Sequence, residues 1–291
     1  GTTLAVGDRG LLLLMPAAIA PGPAGGGALG TKLVTFYDGN RARGLPTHLA
    51  AYVLLEATTG RPLALLEGTW LTGLRTGATS ALAARYLARP DSRRLVCFGT
   101  SAQAEHQVAA LAAVLPLARV SVLGRDAGRA AAFAARLGGA LGVAVDVAAD
   151  AVAAVREADV VTCATTATTP LFPGDALRAG THVDAVGAFR PEHRELDAVT
   201  LRRARVVVES HAGVPSTAGE LVLALREGAI GPDHVAAELA DLVSGRRPGR
   251  TSPDEITVFK SVGFALEDLA AARLAYNRAV ADGVGTEVEL G

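Results

Sequence analysis

Lysine is almost missing from this chain: only Lys32 and Lys260 occur among 291 residues. Arginine carries the basic charge instead, a compositional bias that makes each lysine conspicuous. Aromatic residues are 4% of the chain, too few for the stacking platforms that bind single-stranded nucleic acid. Neither sign of charge dominates, with 28 basic against 29 acidic residues and a net charge of -1. No single-signed field is therefore available to draw nucleic acid or an anionic membrane surface. Cysteine is represented only by Cys97 and Cys163, each inside an apolar run that reads as a strand. Reduced core thiols of a cytoplasmic protein are the expectation. The six histidines are scattered, with no HExxH and no Cys/His spacing, so no metal site is expected. The apolar run Leu11-Leu12-Leu13-Leu14-Met15 is too short to span a bilayer, and Pro16 follows it. It lacks the basic start and cleavage site of a signal peptide and reads as a strand.

What is present favours a large core. Half the residues are apolar and 20% are charged, in a length comfortable for two domains. The first 70 residues read as mostly antiparallel sheet. Strands are expected at 4–15, broken by the turn Gly7-Asp8-Arg9-Gly10, and at 31–37, 52–56 and 62–67. A flexible Gly/Pro loop spans 21–30, and Thr59-Gly60-Arg61 makes a hairpin. Residues 76–88 favour helix, stopped by Arg89-Pro90-Asp91.

From residue 94 onward strands and Ala-rich helices alternate. Strands are expected at 94–99, 119–124, 143–148, 159–164, 182–187 and 205–210, with helices near 103–114, 127–137, 150–157 and 219–227. That order builds right-handed crossovers and a parallel sheet. A final helix covers 262–281 by its apolar spacing. The fold class expected is α/β: a Rossmann dinucleotide-binding domain over 90–261, and a second, sheet-rich α/β domain from 1–89 and 262–291.

The first strand of the alternating region runs into Phe98-Gly99-Thr100-Ser101-Ala102-Gln103. Gly99 turns the chain tightly, and the following helix N-terminus suits a pyrophosphate. Ser101 stands where a second glycine is usual, and its hydroxyl either donates to phosphate or hinders it. An ordinary tight turn between strand and helix is the other reading. The second strand ends at Gly124-Arg125-Asp126, where NAD sites usually carry a carboxylate. Arg125, with Arg129, suits the 2′-phosphate of NADP(H). Asp126 leaves NAD(H) open.

Four blocks together resemble the ornithine cyclodeaminase/mu-crystallin family. They are Gly30-Thr31-Lys32-Leu33-Val34-Thr35 with Asn40, Leu71-Thr72-Gly73-Leu74-Arg75-Thr76-Gly77-Ala78, the Gly99 turn, and Thr257-Val258-Phe259-Lys260-Ser261-Val262-Gly263. A fifth block runs from His182 through Val186-Gly187-Ala188 to Arg194-Glu195-Leu196-Asp197.

The resemblance implies a homodimer through the sheet domain, an imino- or amino-acid substrate and a nicotinamide coenzyme. It assigns Lys32 to the substrate carboxylate or to proton donation, and Arg75 to the carboxylate. A strand-edge lysine that discourages aggregation is the alternative for Lys32, and a surface ion pair for Arg75. The amides of Thr76, Gly77 and Ala78 are expected at a helix N-terminus facing phosphate. Val186, Gly187, Ser261 and Gly263 are expected at the coenzyme. Lys260 is either a structural ion pair or a functional contact. His48 resembles a mu-crystallin histidine that tunes substrate protonation, and a structural histidine is its alternative.

Two departures refine the expectation. Cyclodeaminase members carry a proton-accepting aspartate at the place of Phe189, so imine reduction is expected ahead of cyclodeamination. Family members also have an N-terminal helix, a strand and a carboxylate-binding arginine before this point, and Gly1-Thr2-Thr3 begins where that arginine is expected. The alternatives to an NAD(P)H-dependent imine reductase or amino-acid dehydrogenase are an ornithine cyclodeaminase and a crystallin-like nucleotide binder.

Overall fold

The computed structural model describes residues 2–7, 10–22, 26–213 and 217–289. The chain folds as two compact units, one of residues 1–75 with 264–291 and one of residues 76–263.

The first unit is a five-stranded antiparallel meander in sequence order: β1 (Thr2–Val6), β2 (Gly10–Ile19), β3 (Ala28–Tyr37), β4 (His48–Leu55) and β5 (Pro62–Glu67). Asp8 and Arg9 of the expected first turn, and Pro23 to Gly25 of the Gly/Pro loop, lie outside the described residues. The expected strand at 31–37 begins earlier, at Ala28. Asp38–Arg43 winds into a short 3₁₀ helix where the turn Asp38-Gly39-Asn40 is expected.

Alternation along β3 buries Ala28, Gly30, Lys32 and Val34 on one face. The final helix, Ala265–Asp282, packs on that sheet. Tyr52, Leu54, Leu71, Leu269 and Ala272 form the small core. This helix starts at Ala265, not 262, because Val262 and Gly263 donate their N–H groups to the Glu209 carboxylate, at 2.9 Å and 2.7 Å.

Helix α1 (Gly68–Leu87) contradicts the expected start at 76. The Glu67 carboxylate accepts N–H bonds from Thr69 (2.8 Å) and Trp70 (2.6 Å), capping the helix two turns early. A Thr/Gly/Trp-rich first turn has weak helix propensity, and the cap overrides it.

The second unit is an all-parallel, eight-stranded sheet. Its strands are β6 (Arg94–Phe98), β7 (Arg119–Leu123), β8 (Ala144–Val147), β9 (Val160–Cys163), β10 (His182–Ala185), β11 (Ala204–Val208), β12 (Val235–Glu238) and β13 (Ile256–Lys260), in the order β12-β11-β13-β10-β9-β6-β7-β8. The helices are α2 (Ala102–Ala112), α3 (Ala127–Leu141), α4 (Ala151–Glu157), α5 (Ala198–Arg203), α6 (Gly219–Arg226) and α7 (Leu239–Val243); the final helix of the first unit is α8.

The Rossmann-like class stands, and β12, β13, α5 and α7 add to the six expected strands and four helices. β13, which is not among the expected strands, inserts between β10 and β11. The order reverses between β6 and β9, the switch point at whose carboxyl ends open α/β sheets bind ligands. Cys97 and Cys163 are both fully buried. Burial, then the nearby Glu195 charge, pushes the Cys97 thiol up to about 12. Neither is an available nucleophile. Among the described residues no helix is long and apolar enough to cross a membrane, and no cluster of His, Cys, Asp and Glu is arranged to hold a metal.

Candidate active site

Lys32 projects from the buried face of β3, an interior strand paired on both sides. The strand-edge alternative is thereby removed. Its ammonium lies 2.9 Å and 2.8 Å from the two oxygens of Asp268, in the first turn of α8. Arg75, on α1, donates from Nε to the same carboxylate at 3.0 Å and from Nη1 to Glu267 at 2.7 Å. Arg75 is therefore no surface residue: it is 7% exposed and Asp268 is fully buried. Two cations far apart in sequence converge on one carboxylate, and the helix N-terminus favours negative charge there.

Burial lowers the Lys32 pKa and the neighbouring Arg75 lowers it further; Asp268 and Glu267 pull it back up without restoring it. Such a lysine gives up its proton more readily than a solvated one. Tyr52 stands directly across from Lys32 on β4. Its hydroxyl is buried with no hydrogen-bond partner. Burial and the Asp268 charge hold it protonated, with its pKa raised. His48 opposes Phe36 two residue pairs along the same face. Its proton affinity is lowered, first by partial desolvation and then by Lys32.

Sequence reasoning missed Asp268, Glu267 and Tyr52. The available signal was a carboxylate on the apolar stripe of the last helix, four residues before buried Ala272.

The coenzyme candidates lie in the second unit. Gly99 has φ +121°, and a Cβ there would come within 2.5 Å of the Ala164 carbonyl oxygen. Only glycine fits this turn. Ser101 caps α2: its Oγ accepts the Ala104 N–H at 3.3 Å. Ser101 and Ala102 are exposed at the helix start, with Gln103 half-buried. The Gln103 side-chain amide nitrogen is buried without a partner. A glycine cradle, a solvent-facing helix N-terminus and an orphaned donor fit a dinucleotide phosphate.

Arg125 and Arg129 are exposed beside this turn, where a Cβ on Gly124 would come 2.8 Å from the Thr100 methyl. The Asp126 carboxylate already accepts the Arg129 N–H at 2.8 Å, capping α3.

The remaining candidates sit further along the strand ends. Val186 and Gly187 follow β10, and Gly187 donates its N–H to Glu195 at 2.7 Å. Ser261 donates its hydroxyl to Glu209 at 2.9 Å, and Gly263 gives its N–H to the same carboxylate. Both are thus engaged by Glu209. Lys260 forms the structural ion pair: its ammonium lies 2.9 Å from Glu220 and is 2% exposed as a residue. Thr76 corrects an expectation. It is buried in the third turn of α1, so its amide lies inside the helix and not at the helix N-terminus where it is expected. Phe189 is exposed on the loop after β10, with the Arg190 guanidinium 6.0 Å from its ring centre.

The pattern of the ornithine cyclodeaminase/mu-crystallin family matches residues 2–283. The chain belongs to that family. It is 40% identical to the Delta(1)-pyrroline-2-carboxylate reductase of Bacillus cereus over 283 residues, 97% of this chain and 86% of the relative. Among solved structures it resembles the Thermococcus litoralis Delta(1)-pyrroline-2-carboxylate reductase in complex with NADH and L-proline, with 38% identity and a TM-score of 0.91, covering 99% of this chain and 88% of the other. An archaeal alanine dehydrogenase dimer with bound NAD also aligns at TM-score 0.91 and 32% identity, over 100% of this chain and 87% of the other.

Proposed function

We propose that this family member reduces a cyclic imino acid of the Δ1-pyrroline-2-carboxylate type to the corresponding amino acid. It is an NAD(P)-dependent oxidoreductase acting on C–N bonds, of imine reductase or alanine dehydrogenase type. The observation that carries the substrate assignment is the convergence of Lys32 and Arg75 on one carboxylate. Cations already gathered around one carboxylate are preorganised for a second, that of the substrate.

A reduced nicotinamide coenzyme, when bound, would supply the hydride for the imine carbon. Gly99, Ser101, Ala102 and Gln103 would hold its phosphates. Arg75 presents a guanidinium edge to the substrate carboxylate. Lys32, its pKa lowered, delivers a proton to the imine nitrogen, so one hydride and one proton convert C=N to CH–NH. Tyr52, with its unpartnered hydroxyl, offers a further donor beside Lys32.

NADP(H) is the preferred coenzyme in this reading. Arg125 and Arg129 are exposed for a 2′-phosphate, and Asp126 is committed to its helix cap. The chain is a homodimer in the same reading: β1 is exposed throughout, and Leu4, Val6 and Ile19 present apolar side chains on that edge of the sheet. The first unit is the substrate and dimerisation domain, and the second binds the dinucleotide.

The test is loss of nicotinamide absorbance with Δ1-pyrroline-2-carboxylate, beside pyruvate plus ammonium. Turnover with the cyclic imine supports the proposal. Turnover with pyruvate and ammonium alone replaces it by the alanine dehydrogenase reading.

A further inference from the structure

The carboxyl ends of β6, β9, β10 and β13 form one continuous rim in the second unit. Backbone bonds stitch it together: Ala164 N–H to Phe98 O (2.9 Å), Val186 N–H to Cys163 O (3.0 Å) and Ser261 N–H to Ala185 O (3.2 Å). The Gly99 turn lies directly against Ala164 on this rim. At Gly187 a Cβ would come within 2.2 Å of the Thr165 carbonyl oxygen. The two loops that follow β9 and β10 are thus in backbone contact, and they continue from the proposed phosphate turn.

Glu195 sits behind that contact, fully buried. One carboxylate oxygen accepts both the N–H and the hydroxyl of Thr165, each at 2.7 Å. The other accepts the Gly187 N–H at 2.7 Å. A single side chain therefore brackets both loops. Its own N–H donates to Glu220 at 3.1 Å. Glu220 in turn lies 2.9 Å from the Lys260 ammonium, which donates to the Ala188 carbonyl oxygen at 2.5 Å. The segment Gly187-Ala188 is held at its N–H by Glu195 and at its C=O by Lys260.

Stability alone is a poor account of this arrangement. Two buried carboxylates lie near one ammonium, which pairs directly with Glu220 alone, and taking such charges out of water costs more than a well-packed apolar cluster would. Burial and the Glu220 charge push the Glu195 pKa up against the pull of Lys260 and the Thr165 bonds. What the carboxylate supplies that an apolar side chain lacks is three directed acceptor contacts on two loops.

We propose that Glu195 is a positioning residue for the coenzyme: it fixes the Thr165 and Gly187 loops at the sheet switch point in the arrangement that receives the dinucleotide. The proposal rests on the reading that the second unit binds a nicotinamide coenzyme. Glu195 acts through these two loops. Its three acceptor contacts are satisfied by protein.

The test is direct titration of the purified full chain with NADPH and NADH, followed by nicotinamide fluorescence, alongside thermal unfolding. In Glu195→Gln one oxygen becomes an amide donor and faces Thr165 or Gly187 donors, so one half of the bracket opens. The dissociation constant is expected to rise roughly tenfold or more, the scale of a misplaced binding element. Thr165→Val removes the hydroxyl that donates to Glu195 and accepts the Ala167 N–H at 3.1 Å, keeps the backbone N–H bond to Glu195, and is expected to weaken binding about threefold. Val155→Ala, a core truncation on α4, serves as a control for lost stability and is expected to leave the dissociation constant unchanged. Coenzyme bound by both Glu195→Gln and Thr165→Val as tightly as by the unaltered protein overturns the proposal. So does equal weakening by Val155→Ala, which makes the effect one of stability. If the unaltered protein binds neither nucleotide, the coenzyme reading falls and this inference with it.

Discussion

Lys32 and Asp268 stand 236 residues apart in sequence, and the ammonium of one lies within 2.9 Å of both carboxylate oxygens of the other. The pair joins the middle of a five-stranded sheet to the first turn of the last helix, with Arg75 as a third member. A buried ion pair is weak evidence for stability, since desolvation offsets its attraction. Its value here is charge placement: Asp268 keeps two cations side by side that would otherwise repel.

Asp268→Asn is predicted to shift the pH dependence of turnover. Burial and Arg75 lower the Lys32 pKa, and Asp268 opposes them. Removing the opposing charge lowers it further. The proton-donating form of Lys32 is then lost at a lower pH, so the alkaline limb of the kcat/KM profile moves to lower pH. An unmoved limb means that Lys32 is not the titrating donor. The same variant leaves two cations buried without their shared partner and is expected to cost roughly 3 kcal/mol in urea unfolding.

Glu267→Gln is predicted to lower KM for the imino acid several-fold. The Glu267 carboxylate occupies Arg75 Nη1 at 2.7 Å, and a substrate carboxylate competes with it. Steady-state kinetics with saturating coenzyme separates the outcomes. A raised KM means that Glu267 orients Arg75 rather than competing for it.

Replacing Arg125 and Arg129 together by alanine is predicted to raise KM for NADPH by roughly tenfold or more while leaving NADH nearly unaffected, because a guanidinium pairs with phosphate and the NADH ribose carries none. An equal effect on both coenzymes removes these arginines from the 2′-phosphate.

Asp159→Asn is predicted to weaken the fold in a pH-dependent way. Asp159 accepts N–H bonds from Arg93 (2.8 Å) and Arg94 (2.9 Å) and pairs with Arg89 and Arg178. Burial alone raises its pKa, but these bonds and charges outweigh that and hold it below its usual 3.8. A depressed carboxylate pKa contributes stability above the unfolded value and loses it as pH falls through the folded one. Urea unfolding should show a gap of about 2 kcal/mol at neutral pH that narrows below roughly pH 4. A gap independent of pH contradicts the assignment.

Much of this architecture is legible from sequence. Continuous apolar runs such as Arg205-Val206-Val207-Val208 do form strands of a parallel sheet, and Gly99 does make the tight turn. Lys32 stands out because lysine is so scarce. Residues that act through distant partners are not legible. Asp268 looks like an ordinary charge in a first helical turn until the sheet places Lys32 against it. Glu195 lies in the fifth resemblance block, but nothing in the sequence marks it or Glu220 as buried; only the fold does. The start of α1 escapes the sequence pattern because Glu67 caps it from the preceding strand, a local bond that outweighs propensity.

The most direct measurement of the central claim is coenzyme oxidation with Δ1-pyrroline-2-carboxylate by the unaltered protein, Lys32→Ala and Arg75→Ala, with coenzyme binding titrated in parallel. Substrate-dependent oxidation is predicted to fall by roughly a hundredfold or more in each variant, with the coenzyme dissociation constant unchanged. Full activity in both variants, or no substrate-dependent oxidation by the unaltered protein while coenzyme still binds, contradicts the claim.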